Sequence, residues 1–185
     1  FGNFHNMLMQ AMASAERVFS VLDTQPDVRD APDAAPLPPV RGDVCFERVT
    51  FGYDPARPVL HEIDFEVRAG QTIALVGATG SGKTTIVSLL ARFYQPQQGR
   101  VLIDGRDIRG VTGDSLHRQM GLVLQTNFLF SGTVVDNIRY ARPDASDADV
   151  TAAASALDTH EMIAALPEGY ATRVGERGSS LSLGQ

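Results

Sequence analysis

The sequence predicts an α/β fold, and three observations carry that expectation. Two stretches, "VCFERVTFGY" (44–53) and "EIDFEV" (62–67), alternate apolar and polar residues, the pattern of half-buried antiparallel strands. "TIALVG" (72–77) is a continuous apolar run ending in glycine, as expected of a strand buried on both faces. "TTIVSLLARFY" (84–94) then changes to helical spacing, with Ile86, Leu89, Leu90 and Phe93 on one side.

Composition sets the scale. A length of 185 residues suits one domain with an appendage, and 43% apolar content supplies a core. The formal charge of −6 argues against nucleic-acid binding, which calls for a basic face. Cys45 is the sole cysteine, so no internal disulfide forms. No apolar run approaches the ~18 residues of a membrane span. The first residues, "FGNFHNMLMQ", carry neither an initiator Met nor a basic leader, and the chain reads as cut from something longer.

In chain order, residues 1–23 place Phe4, Leu8, Met12, Ala15, Phe19 and Leu22 at steps of three and four, an amphipathic helix. Two readings stand on periodicity: a helix folded back onto its own domain, or the tail of a membrane helix lying upstream. Half of the ten prolines fall between Asp23 and Asp43, which marks 24–43 as an extended linker. The folded domain is expected from Val44 onward. After the strands and helix already described come two short strands, "RVLIDG" (100–105) and "GLVLQ" (121–125). From Pro143 the pattern turns helical. Ser146 and Asp149 form an S-x-x-D capping signal ahead of "VTAAASAL". Asp158 or Thr159 is placed to cap "HEMIAAL", which Pro167 and Gly169 close.

The sharpest signal is "GATGSGKTT". Gly77, Gly82, Lys83 and Thr84 fit G-x-x-x-x-G-K-[ST], and each position has a physical task. Glycines accept positive φ and let backbone amides approach phosphate oxygens. The amides from Gly80 to Thr85 would form an anion nest at the positive end of the following helix. Lys83 supplies a mobile charge for β and γ phosphates, and the Thr84 hydroxyl is a hard donor for Mg²⁺. Gly77, Thr79, Gly80, Ser81, Gly82, Lys83, Thr84 and Thr85 are therefore the candidate nucleotide-binding set. A chance glycine-rich turn has no need to follow a buried-type strand and open a helix. Asp104 in "VLIDG" imitates a Mg²⁺-holding aspartate but lacks a following acid, and Gly105 suits a hairpin turn, so Asp104 reads as structural.

Six collinear segments resemble the nucleotide-binding domain of ABC transporters, of the exporter type: "QAMASAERVFSVLD", "VTFGYDPARPVLHEIDFEV", "GATGSGKTT", "RFYQPQQGRVLIDGRDIR", "LVLQTNFLFSGTVVDNI" and "VGERGSSLSLGQ". The resemblance covers almost the whole chain. It implies a P-loop NTPase fold of ABC type, with a mainly parallel core sheet, an antiparallel β flank and a partial helical subdomain. It divides the chain into 1–23, the tail of a preceding membrane helix; 24–43, the Pro-rich linker; and 44–185, an ABC domain incomplete at its C-terminus.

The resemblance also implies ligands and roles. ATP and Mg²⁺ are the expected cofactors. Tyr53 matches the aromatic that stacks on adenine, and Gln125 matches the glutamine that touches Mg²⁺ and the attacking water. Lys83 and Gln125 are thus the residues expected to take part in the chemistry. Thr126 to Phe130 would receive a coupling helix of the membrane domain, and Glu176 and Arg177 in "VGERG" would lie beside the partner's intracellular helices. "LSLGQ" resembles the signature L-S-G-G-Q with Leu183 in place of its middle glycine; Ser182 and Gly184 match the positions that reach the ATP of the opposite subunit. A second nucleotide-binding domain, identical or not, and a membrane domain are the implied partners, at the cytoplasmic face of the cell membrane.

The family's catalytic Glu and switch His lie beyond the signature, and His5, His61, His117 and His160 all precede it. The full-length parent is accordingly expected to be an ATPase driving export. The 185-residue piece is expected to bind nucleotide weakly and to hydrolyse almost none. The alternative is an ABC-like nucleotide-binding module with absent or degenerate hydrolysis. A soluble ABC ATPase acting on nucleic acid is disfavoured by the acidic balance.

Overall fold

A computed structural model describes residues 2–125 and 128–175, in two compact units, Phe1–Met120 and Gly121–Gln185. In the first unit, α1 (Gly2–Leu22) is a 21-residue helix whose described side chains are exposed, Met12, Phe19 and Leu22 included. No helix among the described residues is long and apolar enough to cross a membrane.

The alternating segments form the strands their pattern predicts. β1 (Val44–Phe51) pairs antiparallel with β2 (Leu60–Val67), setting Phe46 opposite Phe65 and Phe51 opposite Leu60. β3 (Gln98–Ile103) lies on the other side of β1, and β4 (Arg106–Asp107) completes a four-stranded sheet of order β2-β1-β3-β4. Between them, α2 (Lys83–Leu90) follows the glycine-rich loop. A 3₁₀ turn (Ile108–Gly110) and α3 (Gly113–His117) follow the sheet. The core gathers Phe46, Val49, Phe51, Leu60, Val101 and Ile103 from the sheet with Leu89 of α2, Ile108, Val111 and Leu116. Leu37, from the proline-rich stretch, is buried in the same cluster.

That stretch is extended, and it is bound along its length. Ala35 bridges Val111 in parallel, the Leu37 amide donates to Ser115 Oγ at 2.8 Å, and the Val40 amide donates to Gln119 Oε1 at 2.9 Å. Arg92, just past α2, is only 5% exposed. Its guanidinium donates to the carbonyls of Ile108 and Val111 and pairs with the Asp30 carboxylate, which also accepts from the Gly113 amide at 2.9 Å. A buried cation needs such a full set of partners.

The expected parallel core is where the structure departs from the sequence reading. Every ladder among the described residues is antiparallel, with the Ala35–Val111 bridge the parallel exception. Residues 72–76 and 121–124 run without a ladder, and Val76 and Val123 are 87% and 91% exposed. An apolar run becomes a buried strand only when neighbouring strands satisfy its amides and carbonyls and cover both faces. Neither run pairs with a described strand.

In the second unit, β5 (Gly132–Thr133) pairs with β6 (Arg173–Val174). Between them lie α4 (Val134–Arg139), α5 (Asp147–Ala156), α6 (His160–Ala164) and a 3₁₀ turn (Gly169–Ala171). The Ser146–Asp149 signal is a complete capping box on α5. At α6 the cap position falls to Thr159, without a side-chain cap bond. α4 is too short for periodicity to announce it, although Thr133 and Asp136 form a second capping box with the same spacing.

Two outcomes follow for stability. Leu89 has 0% exposure, so Leu89→Ala is expected to lower the unfolding free energy by about 2–5 kcal/mol in chemical denaturation. The hydrogen bond from Arg92, then that from the Gly113 amide, holds the Asp30 carboxyl below its ordinary 3.8. Its stabilisation is present above that value and is lost as pH falls through the lowered folded-state pKa. Asp30→Ala should therefore lower the melting temperature near neutral pH, and the gap from wild type should close on acidification below pH 3.8.

Candidate functional site

The site is built at the start of α2. The chain leaves the apolar run 72–76, turns through Gly77–Gly82 and enters the helix with Gly82 at the N-cap position, φ 90° and ψ 4°. Gly80 has φ 85°. Both values lie where a side chain is strained and glycine is not. Close approach also requires the glycines: a Cβ on Gly77 would stand 2.7 Å from Ser81 Oγ, and one on Gly82 would stand 2.6 Å from Leu60 Cδ2. The first turn of α2 contains no acidic residue, so its amide ends keep their positive field.

The Lys83 ammonium folds over this loop. It donates to the carbonyls of Gly77 at 2.9 Å and Ala78 at 2.8 Å, with Ser81 Oγ at 3.4 Å. The charge is thereby held on the loop by its own carbonyls. Beside it is an open cavity of about 240 Å³, lined by Tyr53, Val59, Gly80, Gly82, Lys83, Thr84 and Thr85. The structure thus brings Tyr53 and the loop to one place, although they are far apart in the chain. The Tyr53 hydroxyl lies 3.2 Å from Thr85 Oγ1, and Thr85 is 4% exposed. Tyr53 itself stays 55% exposed.

Other expected residues fall elsewhere. Gly77 and Ser81 meet the site through the Lys83 ammonium, and Thr79 lies on the exposed turn. Gln125 belongs to the second unit and is exposed. Ser182, Gly184, Glu176, Arg177 and Thr126 lie outside the described residues. Asp104 is structural, as its sequence context suggests. Its carboxylate accepts from the amides of Arg41 (2.6 Å), Asp43 (2.9 Å) and Gly42 (3.1 Å), bonds that hold it below the ordinary carboxylate range. Val59, on the cavity wall, lies in the same segment 49–67 as Tyr53, and its place at the cavity is seen only in the fold.

The donor set suits a polyphosphate with a hard cation and an aromatic base. Amides and an ammonium face anionic oxygens, the Thr84 hydroxyl can ligate Mg²⁺, and an exposed tyrosine ring offers a stacking surface. Among the described residues lining the cavity there is no carboxylate and no histidine.

Residues 60–185 match the family described as ABC transporter. Over 184 residues the chain is 49% identical to an uncharacterized ABC transporter ATP-binding protein, YknV, of Bacillus subtilis, covering all of this chain and 30% of that protein. It is 46% identical to an ATM1-type heavy metal exporter of Novosphingobium aromaticivorans, again covering 30% of it. A solved bacterial Atm1-family ABC exporter with ATP bound superposes with a TM-score of 0.86 at 46% identity, over 97% of this chain and 32% of that one. The chain therefore spans about a third of the length of the relatives it matches, and its fold is that of the ABC-type NTPase domain.

The two glycines with left-handed φ make separable demands. Gly80→Ala meets open space and should show only the backbone cost of about 1–2 kcal/mol. Gly82→Ala adds the clash with Leu60 and is expected to destabilise more, measured as the difference in denaturant midpoints.

Proposed function

The chain belongs to the ABC transporter family, and from that premise we propose that it is the ATP-binding domain of an exporter, gripping Mg-ATP in the cradle at the start of α2. The observation that carries this reading is the Lys83 ammonium held over the Gly77 and Ala78 carbonyls, in a cavity shared with Tyr53 and Thr84. Lys83 turns from those carbonyls to the β and γ phosphates. The loop amides take the remaining phosphate oxygens, and adenine stacks on the open ring of Tyr53. The Thr84 hydroxyl would hold Mg²⁺, which would supply charge neutralisation on the phosphates.

Ser182 and Gly184 reach the ATP of a second nucleotide-binding domain, and the segments 126–130 and 174–178 meet a membrane domain at the cytoplasmic face. α1, amphipathic and exposed, continues from the last membrane helix. The names of similar proteins support this assignment: an ATP-dependent lipid A-core flippase of Syntrophus aciditrophicus is 44% identical over 183 residues. Hydrolysis needs a group that orients or deprotonates water. The 185 residues alone are expected to bind ATP weakly and to turn it over very slowly.

The test is equilibrium binding of Mg-ATP followed by steady-state turnover. Lys83→Ala should weaken binding at least ~10-fold, the loss of charge-assisted hydrogen bonds of about 1.5–3 kcal/mol. Tyr53→Ala should remove about 1–3 kcal/mol of base stacking. Turnover by the 185-residue chain clearly above that of Lys83→Ala would overturn the low-hydrolysis reading, and unchanged affinity in Lys83→Ala would overturn the assignment of the cradle.

A further inference from the structure

The Tyr53 ring is held by residues that lie outside the phosphate loop. Tyr94 meets it nearly perpendicular, centroids 5.1 Å apart and planes at 88°, and Phe51 meets it from another side at 5.2 Å and 82°. Phe51 and Tyr94 also touch each other at 5.6 Å, closing a triangle of rings. Tyr94 is 40% exposed and does not belong to the buried core cluster. Three residues further on, Gln97 clasps the peptide groups of Gly52, the residue before Tyr53. Its amide donates to the Gly52 carbonyl at 2.7 Å, and its carbonyl oxygen accepts from the Gly52 amide at 3.0 Å. The Gln97 backbone amide donates to the Thr50 carbonyl at 3.0 Å. Gly52 is itself confined, since a Cβ there would stand 2.5 Å from the Arg57 carbonyl oxygen.

We infer that Tyr94 and Gln97 are positioning residues for the base of the bound nucleotide, setting the orientation of the Tyr53 ring before ligand arrives. The inference rests on the reading of Tyr53 as the stacking surface. A ring on a loop otherwise loses its freedom when the base lands on it, and fixing it beforehand removes that cost from binding. The two controls flank α2. Thr85 in its first turn bonds the Tyr53 hydroxyl, and Tyr94 and Gln97 follow its C-terminal end. The base platform and the phosphate cradle are thereby kept in register by one helix.

The experiment compares Mg-ATP with Mg-tripolyphosphate, which fills a phosphate cradle without a base, in the full chain. Tyr94→Leu and Gln97→Ala should each weaken Mg-ATP roughly 2- to 10-fold, the scale of one aromatic pair or hydrogen bond, and leave tripolyphosphate unchanged. Tyr94→Phe should retain wild-type affinity. On a Tyr53→Ala background, Tyr94→Leu should have no further effect, because no ring remains to be positioned. Equal losses for both ligands would mean general loosening of the fold and would overturn the inference. So would Mg-ATP affinity unchanged by either single substitution while Tyr53→Ala weakens it. If Tyr53→Ala binds Mg-ATP as tightly as wild type while Lys83→Ala does not, the stacking role of Tyr53 fails, and the inference with it, while the cradle stands.

Discussion

The seating of α2 on the antiparallel sheet is the constraint from which the rest of the first unit follows. Leu89 is fully buried among Phe46, Phe51 and Val101, and that contact sets where the helix begins. Because the helix begins there, Gly82 packs beneath Leu60, Lys83 can fold back over its loop, and Thr85 can meet the Tyr53 hydroxyl. A cradle built of backbone amides has no side chains to adjust its shape. Its geometry is inherited from the element that carries it, and that element is positioned by apolar packing.

The other end of α2 is held by charge. Arg92 ends the helix in a left-handed backbone conformation, φ 54°, and buries a guanidinium against two carbonyls and Asp30. Through Asp30 the proline-rich stretch is tied to the same helix that makes the phosphate site. His117 adds a contact to the Ala91 carbonyl at 2.8 Å. In an exporter the stretch 24–43 would connect α1 to the nucleotide-binding fold. It is here a fitted part of that fold, with Leu37 in the core, rather than a slack tether.

Much of the fold is legible in the sequence. The antiparallel pair of β1 and β2, α2, the capping box of α5 and the phosphate loop all rest on short-range rules: alternation, a period of 3.6, a hydroxyl three residues before a carboxylate, glycines around a lysine. α4 obeys the same capping rule at Thr133 and Asp136 but is only six residues long, too short for periodicity to announce it. The runs 72–76 and 121–124 mislead for a different reason. Their composition states what environment the residues would prefer, and the environment itself must come from other strands.

The sequence by itself determined the chemistry of the cradle. The spacing Gly77, Gly82, Lys83, Thr84 sets donors and a cation within one loop, and no distant residue is needed to specify it. Tertiary structure decided what shares that space: Tyr53 brought to the loop across the sheet, Val59 on the wall, and Tyr94 and Gln97 behind the ring. It also decided that the proline-rich stretch is bound through Asp30 and Leu37. Local motifs encode groups close along the chain, whereas packing brings together groups far apart, and that depends on the whole set of buried contacts at once.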